Sequence, residues 1–165
     1  MKAEEIIRML HLQPLEPEGG YFCETYRSRE ILALKGRGRR HLATAIYYLL
    51  LPRTFSAWHR LRGDEVYHFY WGDPVDLFLI RPGGDLERHV LGRDLSQGQR
   101  PQALVPKNCW QAGRLRPGGR FALLGTTMAP GFDWRDFELG QRQRLMRIFP
   151  QWGSLIQDLT REPGR

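Results

Sequence analysis

The chain has 165 residues, of which 41% are hydrophobic, 12% aromatic and 26% charged, and its formal net charge is +7. This length predicts one domain over residues 1–165, and no stretch approaches the roughly 18 consecutive apolar residues that a membrane span needs. The two cysteines exclude a disulfide framework, and the start MKAEEIIRML lacks the apolar region of a signal peptide, so we expect a cytoplasmic protein with no membrane partner.

The positive charge is scattered along the chain except in one cluster, KGRGRR, from Lys35 to Arg40. The cluster contains no aromatic residue on which a base could stack, and the chain has no zinc-finger spacing. We therefore interpret the cluster as a mobile, well-solvated loop and expect no nucleic-acid partner. Nucleic-acid binding is the least favoured of the functions considered.

Apolar residues recur at helical spacing over residues 3–10, which predicts a short N-terminal helix. Short apolar runs then alternate with Gly, Pro and Asn, as is typical of antiparallel strands. Strands are predicted at 18–28, 42–52, 54–61, 65–71, 75–80, 87–91, 102–106, 110–115 and 120–128. Helical spacing returns over 141–150 and 152–161, so we predict two short C-terminal helices. The whole pattern predicts an all-β sandwich or barrel.

The segment SAWHRLRGDEVYHFYWGDP resembles the first motif of the cupin superfamily, which is His-x-His, three or four residues, Glu, six residues and Gly. His59, Glu65 and Gly72 are in register with that motif. Leu61 stands where a metal-binding cupin has its second histidine. The resemblance therefore comes with the loss of one metal ligand.

The segment Pro106 to Gln111 is similar to the second cupin motif, with Asn108 and Gln111 in the positions of its Gly and His. Asn tolerates a left-handed backbone better than most residues, so the turn is expected to survive. Together with EGGYFCETYRS, TAIYYLL and APGFDWRDFEL, the two motifs resemble the Cupin 5 subgroup, in which Gln is typical at the second motif. The resemblance extends from Glu18 to Phe149.

This resemblance implies an antiparallel double-sheet jelly-roll barrel with a pocket inside it, and a homodimer that buries helical or N-terminal strand regions. It brings no settled activity. Because strand side chains alternate between the two faces, an inward His59 brings Leu61 inward, and an inward Glu65 brings Tyr67 and Phe69. The expected ligand-binding residues are His59, Leu61, Glu65, Tyr67, Phe69 and Gln111, with Arg27 at the rim.

A non-haem iron site uses two histidines and a carboxylate, whereas this pocket offers His59, Glu65 and Gln111. We expect either no cofactor or a weakly bound divalent metal on these three residues. The alternative is a hydrogen bond between His59 and Glu65. Asp133 and Asp136 are interpreted as turn or helix-capping residues.

The first functional hypothesis is a small-molecule-binding cupin without a tightly bound metal. The alternative is an enzyme, with His59, Glu65 and Tyr67 as the catalytic candidates. It would be a metal-independent sugar-nucleotide epimerase or isomerase with His59 as base and Tyr67 as acid, or a metal-dependent cupin that uses His59 and Glu65.

Overall fold

The alternating segments form short strands throughout residues 2–161, the part of the chain that the computed structural model describes. The ends of the predicted 1–165 domain, residue 1 and residues 162–165, lie outside the described residues. In chain order the strands are β1 (Gln13–Pro14), β2 (Tyr21–Arg27), β3 (Ile31–Leu34), β4 (Gly38–His41), β5 (Thr44–Leu50), β6 (Phe55–Leu61), β7 (Glu65–Gly72), β8 (Val75–Ile80), β9 (Leu86–Leu91), β10 (Gln102–Val105), β11 (Trp110–Leu115), β12 (Ala122–Met128) and β13 (Phe137–Leu139).

Two antiparallel sheets face each other, in the order β1-β2-β5-β12-β7-β10 and β13-β6-β11-β8-β9. Apolar side chains from both sheets form one buried cluster between them, for example Tyr48 and Leu124 from the first sheet and Leu77 and Leu79 from the second. This arrangement confirms the all-β, antiparallel double-sheet jelly roll expected from the sequence.

Short helices cover the outer face of each sheet. The N-terminal helix α1 (Ala3–Met9) buries Ile6 against Leu49 and Phe121 of the six-stranded sheet and its flank. The C-terminal helices are α2 (Arg142–Ile148) and α3 (Gly153–Asp158). Their apolar residues pack with Trp58 and Trp110 of the five-stranded sheet, and the helix predictions are confirmed with each helix shorter than expected. No helix within residues 2–161 is long and apolar enough to span a membrane.

The interpretation of Lys35 to Arg40 as a mobile, well-solvated loop is wrong for Arg37 and Arg40, whereas Lys35, Gly36, Gly38 and Arg39 are exposed to solvent. The second half of this cluster belongs to β4, which pairs with β3 in a hairpin. Arg40 is only 3% exposed. Its Nε and Nη2 donate to Oδ2 and Oδ1 of Asp136 at 2.8 and 2.9 Å, and Arg37 Nη2 donates to Oδ2 of the same carboxylate at 2.7 Å. The cluster is therefore held by a buried carboxylate.

The two aspartates of the GFDWRDFE segment have different roles. Asp133 Oδ1 accepts from the backbone N–H of Arg135 at 2.9 Å and caps a short 3₁₀ turn, as predicted. Asp136 is no cap, because its carboxylate is committed to Arg40 and Arg37. The Arg40 hydrogen bond, together with Arg37, lowers the pKa of Asp136 to about 2.

The turn residue of each cupin motif, Gly72 in the first and Asn108 in the second, has a positive φ angle. Asn108 adopts a left-handed φ of 65°, and its N–H donates to the carbonyl of Leu61 at 2.7 Å. Gly72 has a φ of 105°, and a Cβ there would lie 2.3 Å from the carbonyl oxygen of Phe121. The predicted survival of the second turn with Asn in place of Gly is confirmed.

Asp136→Ala is expected to lower the free energy of unfolding at neutral pH by about 3 kcal/mol, because it leaves two guanidinium groups without their buried partner. Chemical denaturation measures the loss. The control is Asp158→Ala, since the exposed Asp158–Arg114 pair at 3.4 Å should contribute less than about 1 kcal/mol. Equal effects of the two substitutions would contradict the role assigned to Asp136.

The contribution of the Arg40–Asp136 pair to the free energy of unfolding should depend on pH. Because the folded-state pKa of Asp136 is depressed, this contribution should persist above about pH 4 and decline as pH falls towards 2.

Candidate functional site

A cavity of about 470 Å³ lies between the sheets at the end where β5 and β7 begin and β12 ends. Its walls are mostly apolar, with carboxylates, one imidazole and one guanidinium among them. The lining residues are Leu15, Glu18, Phe22, Glu24, Arg27, Thr44, Ile46, His59, Leu61, Glu65, Thr126, Met128, Phe132, Asp133 and Trp134. This volume is in the usual range for small-molecule sites.

Four of the predicted ligand-binding residues line the cavity, namely Arg27, His59, Leu61 and Glu65. The prediction assumed that successive side chains of a strand point to opposite faces of the sheet, and Tyr67 and Trp110 lie on the faces that this rule gives them. Tyr67 lies in the cluster between the sheets, whereas Trp110 lies in the cluster under the C-terminal helices.

The predicted lining is wrong for Tyr67, Phe69 and Gln111, which are not on the cavity wall. Tyr67 and Phe69 point between the sheets, but they belong to the packed cluster, where they are 3% and 8% exposed. Alternate residues of a strand are about 6.6 Å apart, so Tyr67 and Phe69 lie successively deeper between the sheets than Glu65, which lines the cavity. Gln111 is 1% exposed and reaches the site only through Glu65.

His59 is buried with its ring held on two sides. Its Nδ1 lies 2.8 Å from the carbonyl oxygen of Ala57, and its ring stacks on Phe137 with centroids 5.3 Å apart. A carbonyl oxygen only accepts hydrogen bonds, so Nδ1 carries the proton. Nε2, which lies 3.8 Å from Glu18 Oε2, is therefore the ring nitrogen that is left for a ligand.

Glu65 is bonded to Gln111 rather than to His59. Gln111 Nε2 donates to Glu65 Oε2 at 2.9 Å, and no contact within 4.0 Å joins the Glu65 carboxylate to His59 in the described chain. The alternative prediction of a His59–Glu65 hydrogen bond is therefore wrong in this structure. Burial raises the pKa of Glu65, and the nearby Glu18 adds to that rise, while His59 opposes it.

Glu18 is a site residue that the sequence interpretation missed. Its Oε1 accepts from Ser56 Oγ at 2.7 Å, and its Oε2 is the carboxylate oxygen nearest to His59. The two glycines after it allow the close turn, since a Cβ on Gly19 would lie 2.2 Å from the carbonyl oxygen of Phe55. Tyr48 donates to the carbonyl of Gly19 at 2.8 Å. In the sequence, the only local feature that marks Glu18 as a possible site residue is its position directly before Gly19 and Gly20.

Arg27 lies at the rim but is already paired. Its Nε and Nη2 donate to the two carboxylate oxygens of Glu24 at 2.8 and 2.6 Å, and its Nη1 donates to the carbonyl of Phe132 at 3.2 Å. An incoming carboxylate or phosphate would have to displace Glu24 from this bidentate pair.

The donor set does not fit a tightly bound divalent metal. Within residues 2–161 no three His, Cys, Asp or Glu side chains are grouped so that they could hold a metal ion. Leu61 supplies no ligand, and Gln111 turns its amide N–H towards Glu65. The expectation of no cofactor or a weakly bound metal remains a prediction.

Comparison with known protein sequences identifies a family and a relative of this chain. The family model Cupin_5, described as "Cupin superfamily (DUF985)", matches residues 4–140. The chain belongs to this cupin family. It is 30% identical over 132 residues to the uncharacterized protein YML079W of Saccharomyces cerevisiae, an alignment that covers 72% of this chain and 66% of the yeast protein. The matched region thus spans just under two thirds of that relative.

Solved structures of similar proteins share the whole cupin fold. Protein SO0799 from Shewanella oneidensis is 36% identical, with a TM-score of 0.90 over 99% of each chain. A hypothetical protein from Leishmania major is 32% identical, with a TM-score of 0.92 over 98% of this chain and 100% of its own. At 14% identity and a TM-score of 0.57, oxalate decarboxylase from Bacillus subtilis, with 96% of this cupin and 42% of that chain covered, shares the fold alone.

Glu65→Gln is expected to make the protein more stable than the unmodified chain above about pH 5, with the two equal at low pH. A raised folded-state pKa of Glu65 means that the folded state holds a proton which the unfolded state loses as pH rises past about 4.3. The unmodified protein therefore loses stability over that rise, and the variant does not. Urea unfolding between about pH 4 and about pH 8 measures the difference.

Glu87→Gln is the matched control for that substitution. The hydrogen bond from Arg81 lowers the pKa of Glu87, so this variant should show a small pH dependence of the opposite sign. A Glu65→Gln variant whose stability relative to the unmodified chain does not change with pH would contradict the raised pKa of Glu65.

Proposed function

We propose that this cupin binds a small molecule in the cavity beside His59, Glu65 and Glu18, without a tightly bound metal. The observation that carries the proposal is the cavity itself, whose apolar walls surround a few convergent polar groups. His59 Nε2 and the Glu18 carboxylate would contact the polar part of the ligand. Leu61, at the position of the missing metal ligand, would contact its apolar part.

The enzymatic alternatives have less support from the geometry. An epimerase that uses Tyr67 as its acid needs the phenol to reach the substrate, yet Tyr67 is 3% exposed in the packed cluster. Burial raises the pKa of Tyr67 well above its usual value, which makes the phenol a weaker proton donor. A metal-dependent reaction on His59 and Glu65 lacks a third ligand in the described residues.

A cytoplasmic homodimer completes the proposal. The two cysteines are unpaired, which is usual in a reducing compartment. Within the described chain, β1 pairs with β2 only at Tyr21 and Phe22, so the edge of β2 beyond them has no strand beside it. Tyr26 on that edge is 55% exposed. An unpaired edge with an exposed aromatic residue is suited to pairing with a second copy.

Leu61→Trp is expected to abolish ligand binding, because the indole fills space that the ligand would occupy. The measurement is a thermal-shift screen of the purified protein against a library of metabolites, repeated on the variant for each compound that raises Tm. Leu104→Trp is the control, since Leu104 is 53% exposed on β10 and away from the cavity. A screen without hits, or hits that persist in Leu61→Trp, would count against the cavity as a binding site.

Tyr26→Glu is expected to convert the dimer into a monomer, because a carboxylate on the β2 edge would face its own symmetry mate. Light scattering after size-exclusion chromatography reports the mass. Leu104→Glu places the same charge on β10 at the opposite edge of the sheet and should leave the dimer intact. If the unmodified protein has the mass of one chain, the homodimer proposal fails.

A further inference from the structure

Two carboxyl groups inside the cavity have no strong cation beside them. Glu18 and Glu65, called here the inner carboxyls, form no ion pair with any Arg or Lys side chain in residues 2–161, and His59 at 3.8 Å is the basic group nearest to Glu18. We propose that the cavity binds a primary ammonium compound with an apolar body, and that its charged nitrogen lies between the inner carboxyls. This inference rests on the proposed function and names the chemical class of its ligand.

The other carboxylates of the cavity are neutralised. Glu24 is paired with Arg27 at 2.6 Å, and Asp133 with Arg135 at 2.6 Å. Both pairs lie towards the outside, where Arg135 is 63% exposed. The uncompensated negative charge is therefore confined to the buried end, where attraction to a cation is least screened by water.

The buried end also has more hydrogen-bond acceptors than donors. Ser56 and Gln111 each donate once to an inner carboxyl, and the Thr126 hydroxyl supplies one further side-chain hydrogen bond to Glu65. Gln111 Oε1 is buried and has no hydrogen-bond partner among the described residues. An ammonium group carries three N–H donors and no acceptor, so it supplies what this end lacks, whereas a carboxylate or phosphate would add further acceptors and negative charge.

The remaining walls fit an apolar body. Phe22, Leu61, Phe132 and Trp134 line the cavity, and the rings of Phe132 and Trp134 meet edge to face with centroids 5.0 Å apart. Such walls favour an aryl or alkyl group attached to the ammonium. A nucleotide-linked sugar is disfavoured, because Arg27, the one guanidinium that the described residues place on the cavity wall, is already bound to Glu24.

Binding of a cation should also release a proton. The titratable groups around Glu65 are His59, Glu18, Tyr67 and Tyr48. His59 favours the charged form of Glu65 and Glu18 disfavours it, while side-chain hydrogen bonds from Thr126 and Gln111 also favour the carboxylate. A cation placed beside Glu65 would favour the carboxylate strongly. Its affinity should therefore rise with pH as Glu65 loses its proton.

The test uses three probes of similar shape and different charge: 2-phenylethylamine, 2-phenylethanol and phenylacetate. Isothermal titration calorimetry at neutral pH should give the tightest binding for the amine, with the alcohol weaker by about tenfold and phenylacetate weaker still. Titration of the amine in two buffers of different ionisation enthalpy should show proton release. Amine affinity should increase between about pH 5 and about pH 8.

Glu65→Gln and Glu18→Gln should each weaken amine binding by roughly tenfold, while binding of 2-phenylethanol stays nearly unchanged and shows that the cavity is intact. Glu24→Gln, which removes a rim carboxylate already paired with Arg27, is the matched control and should have a smaller effect. Leu61→Trp should abolish binding of both the amine and the alcohol.

Equal or tighter binding of 2-phenylethanol or phenylacetate overturns the inference, as does a lack of amine binding at millimolar concentration. The proposed function fails separately, when the metabolite screen gives no hit that depends on Leu61. Screening hits that depend on Leu61 but are neutral or anionic would leave the binding cavity standing and would overturn its assignment to a cation.

Discussion

The bidentate ion pair between Arg40 and Asp136 is the constraint on which the cavity depends. It joins two parts of the chain that are 96 positions apart and attaches the β3–β4 hairpin to the segment after β12. That segment carries Phe132, Asp133 and Trp134 of the cavity wall. The next residue after Asp136 is Phe137, on which the His59 ring stacks. The position of the His59 imidazole is thus tied to a charge pair outside the cavity.

The sequence was informative wherever a pattern is local. Strand alternation placed Tyr67 inside the barrel and Trp110 outside it, and helical spacing identified the segments at both chain ends. The cupin motifs placed His59 and Glu65 on neighbouring strand ends around one turn, and both line the cavity. These features depend on residues close together in the sequence, so their patterns can be recognised without a structure.

The features that were missed depend on distant partners. Arg40 lies in a run that has the composition of a solvated loop, and only the remote Asp136 makes it a buried strand residue. Glu18 became a site residue because Ser56 and His59 approach it across the fold. Alternation predicts which face of the sheet a side chain points to, but not how far from the cavity it lies along the strand. Tyr67 therefore points between the sheets as predicted, yet it lies in the packed core and not on the cavity wall.

The buried apolar residues within positions 2–161 are divided among three clusters, of which one lies between the sheets. The other two are outside the barrel, under the helices, and they bury Trp58, Trp110 and Phe121 without touching the cavity. Much of the hydrophobic stabilisation is therefore independent of how completely the interior is filled. A few substitutions on the cavity wall could then change the shape of the ligand that is accepted while the scaffold stays folded. Such a division lets one architecture diversify its specificity at little cost in stability.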